Sequence, residues 1–240
     1  MESNIKYRRY VAGIYFAGLV TGIVITTLGG MYWYWIRERT FTPVVPDEPD
    51  IVQAVQYGQA NRVKSMLDSN PLLADAYNTQ GVPVLYMAVD QRDLDMVRLL
   101  LQYHANPNVF EKPSREYPLS RAVILGEEEI TQLLIEYGAG VNARDTFLGT
   151  ALHYACAVQN DDGSIGHINI IKLLLANCAH VNAQDRAGET PLFVAVRYEN
   201  TKIINELLAA GARTDIVSHS GERVTDLTTN EEILRLLRKK

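Results

Sequence analysis

The amino-acid sequence predicts an all-α solenoid of about six helix–turn–helix units, preceded by one N-terminal transmembrane helix. Three observations carry this expectation. Residues 11–36 run for 26 positions without a charge. An alanine recurs on a beat near 33 through the rest of the chain. Between its recurrences apolar residues fall at i, i+3 and i+4, as in Val97, Leu100, Leu101 and again in Ile171, Leu174, Leu175, the spacing of helices with one buried face.

Residues 1–10 form a basic flank with Lys6, Arg8 and Arg9. The uncharged stretch 11–36, as a helix of roughly 39 Å, is long enough to cross a hydrocarbon core of about 30 Å. Tyr7 and Tyr10 stand at one end, Tyr32, Trp33, Tyr34 and Trp35 at the other, an arrangement of paired aromatic belts. A cleaved leader has a shorter apolar core and a small-residue cleavage site, so an uncleaved anchor is expected. The basic bias of the leading flank places the N-terminus in the cytoplasm and the body outside it, at a bacterial inner membrane. Gly18, Gly22, Thr26 and Gly30 recur every four residues, a small-residue row suited to helix pairing. Residues 37–49 follow as a linker with Pro43, Pro46 and Pro49, a spacing that favours an extended stalk.

Charge divides unevenly between these parts. Residues 1–40 sum to +3 and residues 41–240 to −8. An acidic body lacks the clustered Lys and Arg that phosphate backbones select, which argues against nucleic acid as a partner.

The body, 50–240, is built from copies of one motif. Gly188-Glu-Thr-Pro-Leu-Phe-Val-Ala195 parallels Leu148-Gly-Thr-Ala-Leu-His-Tyr-Ala155, with weaker copies ending at Ala88 and Ala122. Adding Ala54 and Thr228 gives spacings of 34, 34, 33, 40 and 33. A second pattern keeps the same beat: His104-Ala-Asn-Pro-Asn108, Gly138-Ala-Gly-Val-Asn142, Cys178-Ala-His-Val-Asn182 and Gly211-Ala-Arg-Thr-Asp215. Pro118 and Pro191 sit where a first helical turn begins, and Gly138 and Gly211 fall where a left-handed C-cap is wanted.

On these residues the body resembles the ankyrin repeat, with its period of about 33 and its Thr-Pro-Leu-His-x-Ala signature. The resemblance implies stacked helix pairs joined by projecting hairpin-like loops, each pair too small to bury its own apolar face alone. The first unit lacks the Gly-Ala turn and ends Asn70-Pro-Leu-Leu; the last ends in a polar Arg238-Lys239-Lys240. Both read as capping units. The spacing of 40 places seven extra residues around Asp161–His167, either a partner contact or a tolerated insertion.

No Gly-rich phosphate loop, His-Glu-x-x-His or Gly-x-Ser-x-Gly is present in the sequence. No catalytic residue, metal ligand or cofactor is expected, and the chain reads as non-enzymatic. The resemblance assigns His153 a structural role on the turn backbone, while His104, His167, His180 and His219 read as solvated. Glu127–Glu129 open a second helix, where carboxylates complement the dipole. Cys156 and Cys178 lie in the same unit, and the sequence leaves open a disulfide or a buried thiol.

The resemblance further implies a concave face of hairpin tips and first-helix positions on which a partner protein docks. Its candidate residues are Val82, Ile124, Leu125, Phe147, Val158, Arg186, Glu189, Arg197 and Tyr198. Several are apolar where solvation would select polar groups, and Phe147, Arg186, Arg197 and Tyr198 are hot-spot residue types; packing against adjacent units is the competing reading of the apolar ones. The expected role is a protein–protein interaction module displayed at a membrane. Alternatives are an immunity protein that neutralises a toxic enzyme, or a periplasmic factor serving an oxidative-stress enzyme.

Overall fold

The computed structural model describes residues 50–112, 114–157 and 167–238. They fall within one unit, Glu48–Lys240. Eleven α-helices are described: α1 Asp50–Gln56, α2 Ala60–Ser69, α3 Val84–Asp90, α4 Leu94–Gln102, α5 Pro118–Leu125, α6 Glu128–Glu136, α7 Ala151–Ala157, α8 Ile168–Ala176, α9 Pro191–Arg197, α10 Thr201–Ala209 and α11 Glu231–Arg238. Two 3-10 helices, Pro71–Asp75 and Val224–Leu227, supplement them. There is no strand among the described residues, only the isolated antiparallel bridges Tyr77–Pro83 and Val217–Arg223.

The helices pair as the repeat predicts. Each first helix packs on its own second helix and on the next first helix, giving a row α1, α3, α5, α7, α9 capped by the Val224–Leu227 turn. The second helices α2, α4, α6, α8, α10 and α11 form a parallel row behind it. The core lies between the rows: the apolar i, i+3, i+4 stripe of α4 (Val97, Leu100, Leu101) is fully buried, and Phe193 of α9 is the largest side chain buried completely. Neighbouring units bury each other's apolar faces, and no unit could do so alone.

Local chemistry sets where each helix starts and stops. Pro118 and Pro191 occupy the first turns of α5 and α9, where a missing N–H costs nothing. The second helices end in the left-handed motif expected of Gly138 (φ 87°) and Gly211 (φ 92°). In both, the next N–H reaches back five residues, Ala139 to Leu134 at 2.9 Å and Ala212 to Leu207 at 2.9 Å. His104 (φ 65°) and Cys178 (φ 62°) adopt the same conformation without being glycine.

The asparagines of the second sequence pattern tie unit to unit. Asn108 Nδ2 donates to the Gly138 carbonyl at 3.0 Å, and its Oδ1 accepts from Gly140 N–H at 2.7 Å. Asn142 repeats this on Cys178 and His180 (3.0 and 2.7 Å), and Asn182 on Gly211 and Arg213 (3.2 and 2.8 Å). The ladder starts at Asp75, whose Oδ1 accepts from Asn106 N–H at 2.8 Å.

One expectation is corrected here, and one alternative the sequence left open is resolved. The single-pass membrane protein at a bacterial inner membrane is corrected: among the described residues no helix is long and apolar enough to cross a membrane. The longest, α2, has 10 residues, against the roughly 20 apolar ones a bilayer requires. The segment 11–36, the pairing row Gly18, Gly22, Thr26 and Gly30, and most of the unit-four insertion lie outside the described residues. A disulfide is also excluded, because Cys156 is buried and free while Cys178 is exposed and free.

Candidate functional site

The hairpin tips share one construction. In unit two Asn78 Oδ1 accepts from Gln80 and Val82 N–H (3.0 and 2.8 Å); in unit four Asp145 Oδ1 accepts from Phe147 and Gly149 (2.8 and 3.0 Å); in unit five Asp185 Oδ1 accepts from Ala187 and Glu189 (2.8 and 2.9 Å). A short polar side chain thus folds its own turn. In unit three the longer Glu111 does this work, Oε2 accepting from the Ser114 hydroxyl at 2.6 Å. Adjacent tips are stitched by backbone bonds. Thr146 N–H donates to Ser114 O (3.2 Å), Arg186 N–H to Phe147 O (2.8 Å) and His219 N–H to Ala187 O (2.8 Å).

This strip displays the apolar groups. The Phe147 ring is 62% exposed, Leu148 beside it 41%, and the Arg186 guanidinium carbon lies 5.9 Å from the Phe147 centroid. One unit earlier Arg115 stands 5.0 Å over Phe110, which meets Tyr117 edge-on. Such stacking orients a guanidinium without neutralising it.

Below the tips the first helices present a polar floor. Arg197 Nη2 pairs with Glu189 Oε1 at 2.5 Å, and Arg121 Nε donates to Asp90 Oδ1 at 2.7 Å. Glu116 sits between Tyr86 and Arg121; burial pushes its carboxyl above the usual range, against the pull of the Tyr86 hydrogen bond. Burial, then the hydrogen bond to Asp145, raises the Tyr154 phenol. Gly149 leaves room for that bond, since a Cβ there would lie 3.0 Å from the Tyr154 hydroxyl.

His153 takes the structural role expected of it. Its Nδ1 accepts from Thr150 N–H at 3.2 Å and its Nε2–H donates to Glu189 O at 3.2 Å, joining units four and five. Burial holds its pKa below the ordinary value. His219 is exposed as expected, and also bonds through Nδ1 to Arg186 O at 3.0 Å and lies against the Gly188 backbone. His167, also expected to be solvated, is half-buried against Gly126.

The predicted site residues separate into groups. Phe147 and Arg186 are brought together at the tips, Glu189 and Arg197 on the floor, with Tyr198 45% exposed next to Arg197. Val82 is half-buried and lines a cavity of about 450 Å³ with Gln56, Gln80, Tyr86 and Asp90. Ile124 and Leu125 are half-buried, and Val158 lies outside the described residues. Sequence reasoning missed Leu148 and Arg115, whose signal is that each stands where other tips carry glycine: their φ of 60° and 53° matches Gly81 and Gly188. Among the described residues no cluster of His, Cys, Asp or Glu could hold a metal ion.

Comparison with known proteins agrees with this architecture. A family model described as ankyrin repeats in three copies matches residues 51–145 and 119–218. An ankyrin repeat protein of fowlpox virus (strain NVSL) is 32% identical over 136 residues, 57% of this chain and 18% of that protein. A protein of Saccharomyces cerevisiae, p28, named as a 26S proteasome regulatory subunit, is 29% identical over 182 residues, 73% of this chain and 76% of its own length. The rat ankyrin repeat and SAM domain-containing protein 6 is 34% identical over 140 residues, 58% of this chain and 15% of its own. The match thus spans under a fifth of the fowlpox and rat proteins. These relatives are viral and eukaryotic, and lend no support to a bacterial source. Ankyrin repeats are in general protein–protein interaction modules without catalytic activity, and this chain belongs to the ankyrin-repeat family.

Proposed function

We propose that the chain is a non-enzymatic binding module that holds a partner protein along the concave face of units three to five. The observation that supports this reading is the exposed Phe147 ring braced by Arg186, with Arg197 and Tyr198 exposed on the neighbouring first helix. Large aromatic and Arg side chains at the centre of a surface are the groups that dominate binding energies, and solvation alone does not select an exposed Phe. Phe147→Ala and Tyr198→Ala are expected to weaken partner capture about tenfold or more at unchanged Tm. Capture that survives both substitutions places the docking face elsewhere.

The yeast relative's name describes a regulatory subunit of a larger assembly, which is consistent with an adaptor. An immunity or inhibitory role would ask for a tight, slowly dissociating complex with a toxic enzyme. The dissociation rate of the captured partner separates the two.

A further inference from the structure

The acidic total of the body misdescribes its hairpin tips. Each central tip spends its carboxylate internally: Asp145 is buried and bonded to two backbone N–H groups and the Tyr154 hydroxyl, Asp185 holds two backbone N–H groups, and Glu111 holds Ser114. Asp145 is turned inward, and the other two, half-buried, are engaged with their own turns. The cations on the same tips, Lys112, Arg115 and Arg186, are exposed.

Some cations of the stack are neutralised. Arg92 pairs with Glu127, Arg121 with Asp90, Lys172 with Glu206, Arg197 with Glu189 and Arg213 with Asp215. Lys112, Arg115 and Arg186 form no ion pair among the described residues, as is true of Arg98, Arg144 and Lys202, although carboxylates outnumber cations in the body; the three tip cations are set apart by their common place. They share one line. The Lys112 stem lies on the Gly81 backbone, Ser114 beside Arg115 accepts from Thr146, and Arg186 donates to Phe147. Phe147 and Leu148 interrupt the line with exposed apolar surface.

From this we infer that the tips of units three to five receive an extended acidic segment of the partner, its carboxylates on Arg115 and Arg186 and an apolar or aromatic side chain on Phe147 and Leu148. The inference rests on the docking face proposed above and names the chemistry it selects. Guanidinium groups held over aromatic rings keep their outward N–H donors free for carboxylates. A nucleic acid needs many phosphate contacts, and three cations release few counterions; an extended peptide needs only the rim.

The test is selection from a random peptide display library on the full chain, on Lys112→Glu/Arg115→Glu/Arg186→Glu, and on Arg197→Gln/Tyr198→Ala. Each variant is first shown to match the wild-type circular dichroism and Tm, with Arg115→Ala/Arg186→Ala as the milder replacement if the triple reversal fails this. Peptides enriched on the wild type are expected to be net acidic with an aromatic or leucine. They should bind the tip variant at least tenfold more weakly and lose affinity as salt rises. Enriched peptides that are neutral or basic, that bind the tip variant equally, or that heparin displaces as well as the peptide itself does, overturn the inference. Loss on the Arg197/Tyr198 variant with none on the tip variant overturns it while leaving the docking face intact; no enrichment, or no loss on either, removes both.

Discussion

Arg186 holds Phe147 twice: its backbone N–H donates to the Phe147 carbonyl at 2.8 Å, and its guanidinium stands 5.9 Å from the ring centroid. The backbone bond joins two units and survives truncation of either side chain. Phe147→Ala is therefore expected to cost under about 0.5 kcal/mol, because most of the ring faces water. A double-mutant cycle with Arg186→Ala should give a coupling of about 0.5–1 kcal/mol by urea denaturation. A cost above about 2 kcal/mol for Phe147→Ala alone would make the ring a packing residue.

Asn142 carries two bonds across the joint between units three and four. Its replacement by Ala leaves His180 N–H and Cys178 O without that partner, at a cost of about 1–2 kcal/mol. In a stack with only nearest-neighbour interfaces, weakening a central joint should also broaden the urea transition. Asn182→Ala, nearer the C-terminal end, should cost a similar amount with less broadening.

His153 makes stability depend on pH in a definite direction. Burial depresses its pKa below the ordinary 6.5, so the unfolded chain takes up the proton first as pH falls. Its contribution is complete above pH 6.5 and declines below it, towards the folded-state value. Glu116, raised by burial, acts with the opposite sign at lower pH. The difference in slope between the wild type and His153→Asn isolates the histidine. Equal slopes between pH 7 and 5 would remove His153 as the titrating group.

Cys178 occupies a left-handed position that its neighbours fill with glycine. An L side chain there costs about 1–2 kcal/mol, offset by the roughly 0.5–1 kcal/mol that glycine's unfolded freedom costs. Cys178→Gly should therefore raise stability by about 0.5–1 kcal/mol, seen as a higher Tm.

The same pair of cysteines can be counted chemically. Burial of Cys156 raises its thiol far above the usual range and shields it. A thiol reagent should label Cys178 in the native protein and Cys156 only after unfolding. Two unreactive thiols, restored by a reductant, would indicate a disulfide.

The repeat architecture was legible because it is written in two independent registers, the Ala88–Ala122–Ala155–Ala195 beat and the Asn108–Asn142–Asn182 beat. Each maps onto one physical device, the buried first helix and the inter-unit ladder. What was not legible depends on residues that defy their position. Leu148 and Arg115 take a glycine conformation, so their exposure could not be read from the motif. Ile124 and Leu125 sit on the predicted face yet are half-buried, since helical spacing gives a face and not its depth. Most of all, a sum of charges cannot tell that Asp145 and Asp185 are bonded within their own turns while Arg186 is exposed.

That division of labour at the tips separates what may vary from what must stay. Asp145 and Asp185 shape the turn, whereas Phe147, Arg115 and Arg186 contribute almost nothing to it through their side chains. Outward positions are thus free to drift, and a lineage can exchange one ligand for another by a few substitutions while the architecture beneath remains unaltered.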